Sequence, residues 1–179
     1  MESLLRSLFI TFLLFFASCV TAETSFIVSP SFGAASVNNI NGYQDTTYAR
    51  VDGSVYLSPQ LGLNLFYADY DDFEGNSGGT PVSLSLSGYG FGVIGKWPLY
   101  RQMQPFIRGE FFAWDSEAYS LGGTVGIDSG FSAGLALGVQ FPIEFSIKYF
   151  TGLKIEVLRY NDISGADIDQ FSFGALFKF

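Results

Sequence analysis

The segment Phe171-Ser-Phe-Gly-Ala-Leu-Phe-Lys-Phe179 constrains the fold more than any other part of the chain. Phe171, Phe173, Ala175, Phe177 and Phe179 fall on one face of a strand, because side chains alternate between the two faces with a period of two. Gln170, Ser172, Gly174, Leu176 and Lys178 take the other face. In water, a face this apolar has to be buried in a core. Soluble domains seldom put their most hydrophobic strand at a terminus, where chains fray. A strand that crosses lipid resolves the conflict, since its apolar face turns outward and its small or polar face lines a lumen.

Seven more stretches alternate in the same way. Ser25–Ala35 sets Phe26, Val28 and Phe32 against Ser25, Ser29, Ser31 and Ala35, with Pro30 on the apolar side. Proline cannot donate a ladder hydrogen bond, so a bulge is expected near Pro30. Tyr48–Leu57 and Leu61–Tyr70 flank the turn Ser58-Pro59-Gln60. A fourth stretch ends Tyr89-Gly-Phe-Gly-Val-Ile-Gly-Lys-Trp97, where Trp97 suits a membrane interface. Phe106–Trp114, Phe131–Phe141 and Gly152–Tyr160 complete the set; Pro142–Thr151 is too long for a minimal turn, so the seventh is expected to start before Gly152. An even number of strands lets the first pair with the last, and closure matters because an open edge in hydrocarbon leaves backbone groups unsatisfied. The expected fold is all-β, an eight-stranded antiparallel up-and-down transmembrane β-barrel. Connectors after odd strands are polar and Gly-rich, such as Asp71–Thr80, and are expected to be the longer, outward loops.

The N-terminus fits export. Leu8–Phe16 is apolar but too short to span a bilayer, and Val20-Thr21-Ala22 offers small residues for cleavage. The expected division is a signal peptide at 1–22 and a barrel domain at 23–179. Cys19, the one cysteine, lies within that signal, in a segment that loosely resembles a lipoprotein acylation box. Cleavage after Ala22 leaves no thiol for disulfides or catalysis. The net charge of −8 argues against nucleic acid, which needs a basic footprint.

Gly88–Trp97, Pro105-Phe-Ile-Arg-Gly-Glu110, Leu153-Lys-Ile-Glu-Val-Leu-Arg-Tyr160 and the Phe-terminated last strand together resemble the OmpA-like and OmpX-like outer-membrane barrel family of Gram-negative bacteria. The resemblance spans residues 23–179 and lacks the peptidoglycan-binding domain that full-length OmpA proteins add, so cell-wall tethering is not implied. It implies that Phe171, Phe173, Phe177 and Phe179 form the signal read by the outer-membrane assembly machinery. It also implies an interior ion-pair cluster.

Seven charged residues share the inward parity: Arg50, Asp52, Lys96, Arg108, Glu110, Lys154 and Glu156. Pairing is the inexpensive way to hold them, since an uncompensated buried charge costs several kcal/mol. They read as a structural plug or as a gate for ions. The acidic residues gather toward the expected outer end, as solvated loops, as a divalent bridge to lipopolysaccharide phosphates, or as a rim for a surface receptor or host ligand. Asp71–Asn76 lacks the spacing of a calcium loop.

With no histidine in the chain and no thiol after cleavage, a neutral-pH general base is missing, and so are the usual zinc ligands. No enzyme activity, metal or cofactor is expected. The leading expectation is a structural or surface-interaction protein set among outer-membrane lipids. The alternatives are a small pore and a soluble, lipocalin-like periplasmic barrel.

Overall fold

The computed structural model describes residues 25–38, 42–77, 80–97, 102–120, 123–143 and 148–179. The expected signal peptide and Cys19 lie outside the described residues. Eight strands run in chain order: β1 (Ser25–Asn38), β2 (Thr46–Tyr56), β3 (Leu61–Ser77), β4 (Thr80–Lys96), β5 (Gln104–Ser120), β6 (Gly123–Pro142), β7 (Phe150–Ile163) and β8 (Ala166–Lys178). Each pairs antiparallel with its neighbour, and β1 pairs with β8 to close the barrel.

Burial is inverted relative to a soluble protein. Phe131 is 81 % exposed and Phe32 70 %, whereas Arg50 is 1 % exposed and Glu156 1 %. A lipocalin-like barrel requires the opposite orientation. Following the outward residues up each strand, the first polar ones are Ser36, Thr47, Asp69, Ser87, Asp115, Ser129, Arg159 and Asp169. Below them every strand shows an apolar band that ends, near the termini, with Phe26, Trp97 and Tyr149 exposed. Such a band, about 25 Å tall and edged with aromatics, is how strands meet acyl chains.

The ladder runs differently from expectation in three places. No bulge forms at Pro30, because Pro30 pairs in continuous register with Val51 of β2. The missing proline donor is instead absorbed at the seam, where the β1–β8 ladder skips Ser29 and Pro30. Asp71–Ser77, read as loop, belongs to β3 and continues pairing as far as Ser77↔Thr80. A register shift between Tyr70 and Phe73 keeps Phe73 inside while the acidic residues around it face water. The connector after β7 is a two-residue turn, Ser164-Gly165, and not a long loop. Both residues have positive φ, 52° and 83°, which is the backbone twist that tight hairpins require. Consequently β8 begins at Ala166, with Ala166 and Ile168 buried. The Ser58–Leu61 turn forms as expected, and Ser58 Oγ accepts the Leu61 N–H at 3.0 Å.

Candidate functional site: the filled lumen and the open rim

Six of the seven inward charges meet in one network at mid-height. Asp52 and Arg50 lie two apart on β2, which places both side chains in the lumen. Arg108 and Glu110 repeat that spacing on β5, as Lys154 and Glu156 do on β7. Arg50 donates to Asp52 Oδ1 from Nε at 2.9 Å and from Nη2 at 2.8 Å. It also reaches across the lumen to Glu110. Lys154 Nζ lies 2.7 Å from Asp52 Oδ2, and Arg108 Nη2 lies 2.7 Å from Glu156 Oε1. Arg108 Nε approaches Glu110 Oε2 to 2.6 Å as an ion pair without hydrogen-bond alignment. Three cations meet three carboxylates, so the network carries no net formal charge. Asn64 adds a donor to Asp52 at 3.1 Å.

Lys96 stands apart, contrary to its expected membership of the cluster. It makes no ion pair among the described residues, and its ammonium rests 3.7 Å from the Tyr56 ring centroid. Parity gives Lys96 the right face but says nothing of depth, and it is the last residue of β4, at the end near the termini.

Aromatic residues fill the lumen on the far side of the network, where small or polar ones were expected. Tyr160 donates to Glu110, and its ring stacks on Phe112 at 4.9 Å. Phe112 packs on Phe66, whose ring lies 3.7 Å beneath the Arg50 guanidinium. Tyr70, Phe73, Leu86, Trp114, Leu158, Ile163 and Ile168 continue this core. Trp114 donates to Ser132 at 2.9 Å, and Ser132 donates to the Asp162 carbonyl at 2.8 Å. Toward the termini, Tyr56, Ile94 and Phe106 form a second apolar layer. Between that layer and the charges the remaining cavity is about 10 Å³. The sequence signal for both layers was present: the inward-facing Gly90 sits where the Phe66 ring of the far layer needs space, and Gly138 where the Phe106 ring of the near layer does.

Beyond the apolar band, β3, β4, β5 and β6 continue as a protruding four-stranded ribbon. One edge of the ribbon is partly covered, because Tyr43 bridges Gly75 and the Gln44 N–H donates to the Glu74 carbonyl at 2.7 Å. The other edge lacks a ladder partner over Gly123–Ser132, because β7 pairs with β6 only from Ala133 onward; side chains bridge its lower part, where Ser164 donates to Asp128 at 2.7 Å and Ser132 to the Asp162 carbonyl. Ile127 is 76 % exposed there. Asp71, Asp72, Glu74, Asp115, Glu117 and Asp128 are exposed on this end of the molecule. The cation Arg159 is held by Asp169, to which Asn38 also donates. Phe171, Phe173, Phe177 and Phe179 lie on the outer wall of β8 and just past it; the Phe179 ring stacks on Tyr149 at 5.0 Å and its N–H donates to the Phe26 carbonyl at 2.9 Å.

A closed barrel of eight strands with a greasy exterior, a charge-balanced network at mid-lumen and both described ends on one side has the fold of the OmpA-like and OmpX-like outer-membrane β-barrels. Solved structures bear this out. Neisserial surface protein A superposes with a TM-score of 0.65 at 15 % identity, over 88 % of this chain and 100 % of that one. The attachment invasion locus protein Ail of Yersinia pestis gives 0.62 at 12 % identity, again over 88 % and 100 %. The N-terminal β-barrel domain of Pseudomonas aeruginosa OprF gives 0.62 at 12 %, with the same coverage. No protein-family model and no curated protein matches the chain.

Proposed function

We propose that this chain, exported by a signal peptide at residues 1–22, is an integral outer-membrane protein that presents its β3–β6 ribbon to a partner outside the cell. The observation that carries the reading is the β6 edge without a ladder partner at Gly123–Ser132, above the level at which lipid covers the wall. Unpaired strand edges invite another strand, with main-chain hydrogen bonds supplying affinity. The acidic residues around that edge favour a basic, extended segment of a partner protein. Ail has also been solved in complex with the heparin analogue sucrose octasulfate, a polyanion. An acidic rim repels such a ligand, so this chain's partner is of the opposite charge.

The filled lumen supports a structural plug in place of a pore, since an eight-stranded barrel is just wide enough for side chains to fill. No catalytic role belongs to this reading. Outer-membrane lipids and lipopolysaccharide would surround the wall, and the outer-membrane assembly machinery would insert it. Fractionation of cells followed by an unboiled gel tests the location: heat-shifted migration from the outer-membrane fraction is expected, and recovery from the periplasm would refute it. Binding of a basic extended peptide to whole cells tests the rim. It should fall with Ile127→Lys and with Asp128→Lys, and binding unchanged by both would refute the docking edge.

A further inference from the structure

The lumen mouth on the side of the termini carries a feature that neither the plug nor the rim uses. Lys96 is only 9 % exposed, yet no carboxylate lies within ion-pair distance among the described residues. The three other buried cations, Arg50, Arg108 and Lys154, each have a carboxylate partner. A buried ammonium normally requires one, and a Tyr56 ring face compensates it only partly. Lys96 opens onto a recess of about 390 Å³ that also takes in Ser25, Ser58 and Lys178. Among the described residues no acidic side chain lines it. The neutral network deeper in the lumen adds no net charge, and Lys96 and Lys178 are the charged side chains among the described residues that line the recess. Ser58 Oγ already accepts a backbone N–H, which leaves its O–H as a donor. The site is held in place: the Lys96 N–H donates to the Gln60 carbonyl at 2.7 Å, and Ile27 pairs with Lys178 across the barrel seam.

We infer that this mouth is a binding site for a phosphate-bearing anion, with Lys96 as its buried anchor and Lys178 as its outer arm. Lysine acts toward phosphate as a compact point charge, and the serine hydroxyls supply the neutral donors such a site needs. The anion completes the pairing that the described residues leave undone at Lys96. Two sources share this chemistry, a free phosphate compound of the periplasm and the headgroup of an inner-leaflet phospholipid.

The test uses the folded barrel in zwitterionic nanodiscs, with inorganic pyrophosphate as the probe, followed by phosphorus NMR line broadening and calorimetry. Saturable binding is expected, weakened at least about tenfold by Lys96→Met and less by Lys178→Gln, since each removes a charge-assisted contact. Lys148→Gln removes an exposed cation in the turn before β7, at the same end of the barrel but outside the lining of the recess, and should leave binding unchanged. Lys96→Arg keeps the charge and should retain most of the affinity. Nanodiscs containing phosphatidylglycerol separate the sources. Competition by that lipid assigns the site to a headgroup, and undiminished binding assigns it to a soluble anion. Heat-shifted migration on unboiled gels verifies that each variant is folded. Absence of saturable binding, or equal binding by folded Lys96→Met, would overturn the site.

Discussion

Arg50 and Glu110 face each other across the lumen through two parallel hydrogen bonds, Nη1 to Oε1 and Nη2 to Oε2, both 2.8 Å. They come from β2 and β5, which are not neighbours in the sheet, so the pair ties opposite walls together. Glu110→Ala leaves three cations facing two carboxylates. Removing one partner of a buried pair costs about 3–5 kcal/mol. Replacing both, as Arg50→Met with Glu110→Leu, leaves Arg108 and Lys154 against Asp52 and Glu156, which is neutral again. The double variant is therefore expected to unfold at higher urea than Glu110→Ala alone, monitored by tryptophan fluorescence in micelles. The opposite order would show that charge balance does not govern the network.

The outer wall should distinguish depth as well as face. Leu137→Arg puts a cation in the apolar band and is expected to cost about 2–4 kcal/mol, whereas Ser129→Arg, on the same face of β6 at the polar boundary, should cost about 0–1 kcal/mol. Equal costs for the two, measured by urea titration in lipid vesicles, would mean that the band does not meet acyl chains.

Gly90 and Gly138 face inward, and Gly109 faces outward. A Cβ at Gly90 would collide with the Phe66 ring and the Phe111 carbonyl, and one at Gly138 with the Phe106 ring. Nothing lies within reach of a Cβ at Gly109. Overpacking typically costs 1–3 kcal/mol, so Gly90→Ala and Gly138→Ala should each lower stability by about that amount. Gly109→Ala should be neutral or slightly stabilising, because alanine suits a strand better than glycine. Similar unfolding midpoints for all three would contradict the packed lumen.

These cases show why the wall was legible in the sequence and the lumen only partly so. The backbone imposes a period of two wherever a strand forms, so Arg50, Glu110 and Glu156 could be placed inside from parity alone. Parity carries no depth, and the stagger between neighbouring strands decides which inward charges share a level. Lys96 therefore looked like a member of a cluster from which it is excluded. Phe66, Phe112 and Tyr160 had inward parity too, but their role depends on the glycines that make room for their rings. The charged run at Asp71–Ser77 looked like a loop by composition. Pairing with β4 held it as strand because water, unlike lipid, accepts its outward carboxylates.

Layers above and below the charges have a consequence for transport. In planar bilayers the wild-type barrel should show no steady ion current. Glu110→Ala should not create one, because Tyr56, Ile94 and Phe106 still close the end near the termini and Phe112 and Trp114 the far end. A stable conductance in the wild type, abolished by a cluster substitution, would establish a pore in place of a plug.

Phe179 can act in two ways, and they are separable. Its ring stacks on Tyr149 and its N–H holds the Phe26 carbonyl, so it helps to seal the β1–β8 seam. The assembly signal proposed for the last strand would give it a second role, before the barrel exists. Phe179→Ala keeps the backbone hydrogen bond and loses only the ring, so refolding of the purified variant into detergent should remain close to wild type. In cells, the amount of heat-shifted protein in the outer membrane should fall severalfold if the terminal ring belongs to the proposed assembly signal. Equal losses in both settings would reduce Phe179 to a seam residue, and no loss in cells would remove the terminal ring from the signal altogether.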